Sequence, residues 1–372
     1  MLTIQTRTIE VSGTHYEIGY QLGKMIETNL LLKSKYIVKP EMTLYQIQET
    51  NQLLDKWCPG LTDEINGFAD ALNVSLESLF FYNMTCYIPR CSHIALLPSM
   101  TAEKKPLLAR NYEFSCELED FCLMRTVAKG NYTHIGTSML QFGRDDGFND
   151  QGLAVTISSC GLPVANLPHM QKPQFQGLQY WVVVRALLDN CKNTKEALAY
   201  LKDMPIVFNM NIILLDKTGH GGALVQTMDG QKAFREIDVY SSQQMIHATN
   251  HSILSEFVHL EKQVFTHSIG RYQYIQKELE QETTVTREKL KEMLLDKYPD
   301  GLCFHNYKES FGTTKSMIIS PIDGTIELCW GGGRHENGWN LYHLSQPFDN
   351  QTSEIEIHID DVQKGLFDWQ SL

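Results

Sequence analysis

Arg90-Cys91-Ser92-His93-Ile94-Ala95 and, after the turn Lys104-Lys105-Pro106, Leu107-Leu108-Ala109-Arg110-Asn111-Tyr112-Glu113-Phe114 are the two stretches on which the reading of this chain turns. Both are apolar and alternating enough to be strands, and the two lysines and proline between them punctuate a hairpin. Folded back, the second stretch brings Arg110 to Glu113 towards Cys91. That gathers a thiol, a guanidinium, an amide and a carboxylate. A cation beside a thiol favours the thiolate, the reactive form.

Outward from this hairpin the chain changes texture. Before it, one strand at 3–11 gives way to helices. Thr14 is an N-cap with Glu17 completing a capping box. Tyr16, Gly19, Tyr20 and Gly23 recur at helical spacing, and glycines on one face mean close packing against another element. Helices follow at 44–57, 61–72 and 76–82, the last capped by Ser75. After Cys91 come short strands at 121–127, 132–138 and 153–158, with Lys129-Gly130-Asn131 and Asp145-Asp146-Gly147 as turns. Helices at 177–188 and 194–201 lead to strands at 211–215 and 222–226. Two more helices, 268–280 and 286–295, precede a closing hairpin, 316–320 and 325–329, about Pro321-Ile322-Asp323-Gly324. Such blocks predict an α+β fold with largely antiparallel sheets. The expected division is a helical front segment, 1–90, and a sheet-rich body, 91–372, together forming one structural unit.

Composition narrows the function classes. Of 372 residues, 32 are basic and 44 acidic, a net charge of -12 with no basic stripe, which argues against a nucleic-acid partner. No apolar run reaches eighteen residues, so no membrane span is expected, and residues 1–7 do not read as a signal peptide. The nine cysteines are scattered without a CxxC, which fits reduced thiols in a cytoplasm rather than a disulfide frame. His247 and His251 are four apart, but Thr249-Asn250 between them is poor helix and no third ligand is apparent, so no metal is expected. Cys91 and His93, two apart on a strand, leave open a Cys–His dyad. Trp330-Gly331-Gly332-Gly333-Arg334 reads as loop, without the strand-to-helix frame of a phosphate site.

A cysteine, a hairpin and then Arg110-Asn111-Tyr112-Glu113-Phe114 resemble the choloylglycine hydrolase and acyl-coenzyme A:6-aminopenicillanic acid acyltransferase group of N-terminal-nucleophile enzymes. Phe148-Asn149-Asp150-Gln151-Gly152-Leu153 is similar to that group's Asn-x-x-Gly-Leu segment. His247-Ala248-Thr249-Asn250-His251 is similar to its Thr-Asn-His segment, and Ser268-Ile269-Gly270-Arg271 to its Ser-x-x-Arg helix. The order and spacing of these motifs run from about residue 10 to 330. The resemblance implies a four-layer αββα sandwich and self-cleavage between Arg90 and Cys91, after which the freed α-amine serves as base. Such an amine titrates at roughly 7.7–8.0, so it can take the thiol proton and return it to a leaving amine.

Carried over residue by residue, the resemblance makes Cys91 the nucleophile and Arg110 its electrostatic support. Glu113, where the family has Asp, would hold the amine. Asn250 would donate to the oxyanion, worth roughly 3 kcal/mol for one donor. Arg271 would close the network, and Asn149, Asn111 and Tyr112 are candidate substrate-binding residues. Arg90 stands where the acyltransferases have a small glycine. The expected substrate is a linear N-acyl amide, cleaved through a thioester to water or to a second amine. Acyl-coenzyme A is a candidate partner, and no cofactor is implied. A non-catalytic binding protein on the same fold, or a Cys–His hydrolase without self-cleavage, is the alternative, and oligomeric state, a homo-oligomer included, is left open.

Overall fold

The structure is a computed structural model that describes residues 1–40, 42–83, 90–161, 164, 171–332, 338–361 and 364–372. Two sheets face each other. The larger runs β11 (Gln231–Asp238), β10 (Gly221–Met228), β9 (Met210–Asp216), β8 (Leu153–Ser159), β7 (Asp146–Asn149), β5 (His134–Met139), β4 (Cys122–Ala128), β1 (Leu2–Gly13) and β18 (Gln351–Ile357), with β6 (Gly143–Arg144) beside β5. The smaller runs β12 (Met245–Ala248), β2 (Arg90–Leu96), β3 (Leu107–Phe114), β15 (Phe311–Ser320), β16 (Thr325–Trp330) and β17 (Asn340–His343), with β14 (His305–Asn306) beside β15. Every named pairing is antiparallel except β1 with β4. A third, two-stranded pair joins β13 (Gln263–Phe265) to β19 (Trp369–Ser371).

Strand alternation sorts the apolar residues into three layers of core. Leu108, Ala95, Met317 and Ile319 of the smaller sheet meet Leu123, Ile135, Ala154 and Ile213 of the larger one. On the outer face of the smaller sheet, Ile94, Leu96, Ala109 and Ile318 pack against Ile275 and Leu279 of α9 (Thr266–Glu280) and Leu290 and Leu294 of α10 (Arg287–Leu295). On the outer face of the larger sheet, Val11, Met124, Val155 and Ile212 pack against α1 (His15–Glu27), α4 (Leu61–Leu72), α6 (Tyr180–Asn190) and α7 (Thr194–Asp203). The result is the expected four-layer αββα arrangement with largely antiparallel sheets.

The front helices follow their caps. Thr14 caps α1 with the capping box to Glu17. α3 (Leu44–Trp57) starts from a Thr43 box with Gln46, and α4 occupies the span expected for it. Two expectations change. The helix at 76–82 is a 3₁₀ turn, Leu76–Ser78, followed by a single turn, α5 (Phe80–Asn83). A helix absent from the expectation, α2 (Leu30–Tyr36), is capped by the Asn29 side chain. α8 (Ser255–Val258) is one turn. The front segment also contributes a full inner strand of the larger sheet, since β1 lies between β4 and β18.

Candidate active site

Cys91 is the second residue of β2, fully buried, and registers opposite Tyr112 of β3. Side chains alternate along both strands, so Cys91, His93, Arg110 and Tyr112 face the larger sheet. Ser92, Asn111 and Glu113 face α9 and α10. The return strand thus divides its polar residues between two faces rather than delivering all of them to the thiol.

On the inner face Arg110 Nη2 donates to Cys91 Sγ at 3.2 Å. Its Nη1 donates to Asp146 Oδ2 at 2.7 Å and to the Asp145 carbonyl oxygen at 2.5 Å. Asp145 Oδ2 in turn accepts from Lys315 Nζ at 2.8 Å, and Glu119 Oε1 accepts from the same ammonium at 3.1 Å. These charges are buried. Arg110 and Lys315 also lie over the Tyr112 ring, at 4.6 and 4.2 Å from its centroid. Asp145 and Asp146, read from sequence as a turn, are the residues that aim Arg110. The doubled acid preceding a glycine was the available signal, and it is ambiguous because turns use the same residues.

Burial works against the thiolate here. It pushes the Cys91 thiol up to about 12; Arg110 pulls the other way and Glu113 adds to the rise. In the continuous, sealed chain the pull of Arg110 toward the thiolate is outweighed by the loss of solvation. Burial thus favours the protonated thiol while the chain is continuous.

On the outer face a second network reaches the backbone nitrogen of the same residue. Cys91 N donates to Asn250 Oδ1 at 3.0 Å. That oxygen also accepts from Arg271 Nη2 at 2.7 Å. Arg271 Nη1 donates to Ser92 Oγ at 2.9 Å and to Glu113 Oε2 at 3.2 Å. Asn250 is held by Ser268 Oγ, which accepts its N–H at 2.8 Å, and by its own Nδ2, which donates to the Ser159 carbonyl oxygen at 3.0 Å. Desolvation lifts Glu113 to about 7 even with Arg271 beside it. The carbonyl of Asn250, and not the NH₂ expected to donate to an oxyanion, faces Cys91, because the backbone of residue 91 presents an N–H there. Ser159, at the end of β8, was not singled out from sequence; it follows the apolar run that defines β8 and has no motif of its own.

Two candidate substrate-binding residues are used structurally. Asn149 Nδ2 donates to the carbonyl oxygens of Leu188 and Cys191 at 2.8 Å each, and its Oδ1 accepts from Leu153 N at 3.0 Å. It turns β7 into β8 around Gly152, whose φ of +93° favours glycine. Asn111 Nδ2 donates to the Leu294 carbonyl oxygen at 2.7 Å on the α10 side of the sheet. Neither is brought to the thiol. Tyr112 is, but fully buried, with its hydroxyl 3.3 Å from that of Tyr180.

The other constellations resolve on the same evidence. His93 shares a face with Cys91, yet its Nδ1 meets Thr156 Oγ1 at 2.9 Å and its Nε2 meets Ser158 Oγ at 3.2 Å. Both ring nitrogens are occupied by hydroxyls of β8, which removes His93 as the thiol's base in this geometry. His251 Nδ1 meets Ser268 Oγ at 2.8 Å, and the His247 ring packs 4.2 Å from Tyr272. A cavity of about 670 Å³ opens beyond the end of β8, lined by Gly161, Asn209, Met228, Leu260, Glu261 and Trp369 among others. The expected pocket loop, 161–175, lies largely outside the described residues, as do Gly333 and Arg334 of the glycine-rich stretch.

Comparison with known proteins matches residues 100–335 to the family described as acyl-coenzyme A:6-aminopenicillanic acid acyl-transferase. Among solved structures, the chain is similar to a mutant conjugated bile acid hydrolase from Clostridium perfringens. That match is 11% identical, covers 74% of this chain and 99% of that one, and has a TM-score of 0.45. It is similar to the Caenorhabditis elegans ortholog of N-acylethanolamine-hydrolyzing acid amidase, 13% identical over 62% of this chain and 93% of that one, TM-score 0.42. It is also similar to penicillin V acylase from Agrobacterium tumefaciens, 14% identical over 64% of this chain and 83% of that one, TM-score 0.40. No curated protein matches the chain.

Proposed function

Since this chain belongs to the acyl-coenzyme A:6-aminopenicillanic acid acyl-transferase family, amide-bond hydrolases and acyltransferases of the N-terminal-nucleophile type, we propose that it activates itself by cutting the Arg90–Cys91 bond and then uses Cys91 to cleave or transfer the acyl group of a linear amide. The observation that carries this reading is that both reactive atoms of residue 91 are held, each by its own network. Arg110 meets the sulfur at 3.2 Å, and Asn250 Oδ1 meets the backbone nitrogen at 3.0 Å.

In the uncut chain that nitrogen is an amide donor. Once freed it is an amine titrating at roughly 7.7–8.0, close enough to neutrality to take the thiol proton. Asn250 Oδ1, itself held by Arg271, keeps it beside the sulfur. Cutting also frees residue 90 from Cys91, which admits solvent and lowers the burial penalty that keeps the thiol protonated. Arg110, fixed by Asp145 and Asp146, then favours the thiolate. Attack gives a thioester, which water or a second amine resolves; acyl-coenzyme A is a candidate acyl donor. The eight described cysteines are all free thiols, which supports a reducing compartment such as the cytoplasm.

Mass spectrometry of the purified protein tests the reading. We expect fragments 1–90 and 91–372 in the wild type, and an uncut, inactive Cys91→Ala chain. An intact wild-type chain that turns over N-acyl amides would sink self-cleavage. A fully active Cys91→Ala variant would sink the nucleophile.

A further inference from the structure

Arg90 is the residue that the proposed cut turns into an acyl group, and its side chain is held by rings. Its guanidinium carbon lies 4.5 Å from the centroid of Phe265, 5.4 Å from Phe311 and 5.7 Å from Phe367. Among the described residues no carboxylate pairs with it. Glu113 registers opposite Arg90 across the strands, but Arg271 and Thr313 engage it. Trp369 backs the box, 4.0 Å from Phe265. A flat cation on aromatic faces is bound through the ring quadrupoles, most strongly where water is excluded.

A second observation points to a ligand at the same place. His267 packs against the same three rings, 5.3 Å from Phe265, 4.7 Å from Phe311 and 5.8 Å from Phe367. Its Nδ1 lies 3.1 Å from Arg271 Nη2, and since a guanidinium can only donate, Nδ1 accepts. The ring is fully buried, and burial keeps it neutral. Its proton therefore sits on Nε2, and that buried N–H has no hydrogen-bond partner among the described residues.

Resting on the self-cleavage reading above, we propose that this aromatic box is the acyl-side subsite. It takes acyl groups that carry a guanidinium or amidinium, with His267 Nε2 donating to an acceptor elsewhere on the acyl chain, since the cation itself can only donate. In the cut, Cys91 Sγ bonds to the Arg90 carbonyl carbon, the bond to Cys91 N breaks, and the thiol proton moves to that nitrogen. Water then supplies hydroxyl to the carbonyl, and its remaining proton returns to sulfur. The acyl half of that sequence is an N-acylated arginine whose side chain occupies the box. A substrate amide passes through the same two steps on the same sulfur, so its acyl group meets what Arg90 met. Trp369 also lines the 670 Å³ cavity, as does Gly161, two residues beyond Ser159.

The test compares Nα-benzoyl-arginine amide with Nα-benzoyl-citrulline amide, its neutral isostere. In an Arg90→Gly, Cys91→Ala double variant, calorimetry should show the arginine amide binding about tenfold more tightly, a typical strength for such cation–ring contacts. Phe265→Leu should erase the difference. In Cys91→Ala, with Arg90 still in the box, binding of the arginine amide should fall about tenfold. Equal affinities for the two amides in the double variant overturn the proposal. Should that variant misfold, the processed wild type decides. A kcat/KM about tenfold higher for the arginine p-nitroanilide than for the citrulline one supports the subsite. Equal turnover of the two overturns it while leaving the amide chemistry standing. Discrimination by the double variant with a wild type that is never cut supports the subsite and fails only the cutting step.

Discussion

At the scale of single residues, the site is two networks sharing one cysteine, and Glu113 is where pH enters. Its carboxyl is lifted to about 7 by burial, with Arg271 opposing. An unfolded glutamate titrates at roughly 4.3. Below that, both states hold the proton. Between there and about 7 the folded chain keeps a proton the unfolded chain has lost, so the stability contributed by this group falls as pH rises and levels off above the folded value. Glu113→Gln removes that fall. Thermal denaturation from pH 4 to 8 should give a flatter profile for the variant than for the wild type across this window; parallel profiles would show Glu113 to be ionised throughout. The residue types of the site were legible in the sequence, their faces only partly. Spacing along β3 put Arg110 and Glu113 near Cys91, but alternation sends them to opposite sides of the sheet. Asn149 resembled a site residue because tight turns and active sites both favour an amide that can satisfy several backbone groups at once.

At the scale of elements, the front helices are bound by contact too close for side chains. A methyl on Gly19 of α1 would sit 1.7 Å from the Glu64 carbonyl oxygen of α4, and one on Gly67 would sit 2.1 Å from that of Tyr16. Beneath this seam Glu64 Oε2 accepts from Arg185 Nη2 of α6 at 2.9 Å, both fully buried. Glu64→Ala leaves Arg185 buried with Asp189 as its remaining carboxylate. Breaking one partner of a buried pair typically costs about 3–5 kcal/mol, read as a fall in denaturation midpoint; a change below about 1 kcal/mol would mean that water replaces the carboxylate. The glycine spacing that foretold this packing was visible because small residues at helical intervals have few other uses. Amphipathic elements such as α3, with its capping box, and α4 were legible to their ends. α2 was not, since Tyr36 is its one buried residue and it has no apolar stripe. β18 was missed for a similar reason: four of its seven residues in succession are exposed, so its sequence alternates too weakly to declare a strand.

At the scale of the whole molecule, the front segment is woven into the body's larger sheet. β1 hydrogen-bonds in parallel to β4 and antiparallel to β18, and Tyr36 of α2 donates to the buried Asp120 at 2.7 Å. Cutting before Cys91, as proposed, should therefore leave fragments 1–90 and 91–372 co-eluting on size exclusion in native buffer and separating only in denaturant. Elution of the smaller fragment alone under native conditions would contradict the interlock. The same strand has a consequence for how the chain is made. Residues 2–8 pair with 351–357, so the edge strand of the larger sheet can join it only after residue 357 has left the ribosome, and contacts of such sequence separation form slowly. Phe367 of the box around Arg90 emerges later still. A nascent chain thus holds the thiol and most of its two networks before the sheet and the box are complete, and the proposed cut should wait on the arrival of residues 351–367 rather than on the appearance of the thiol.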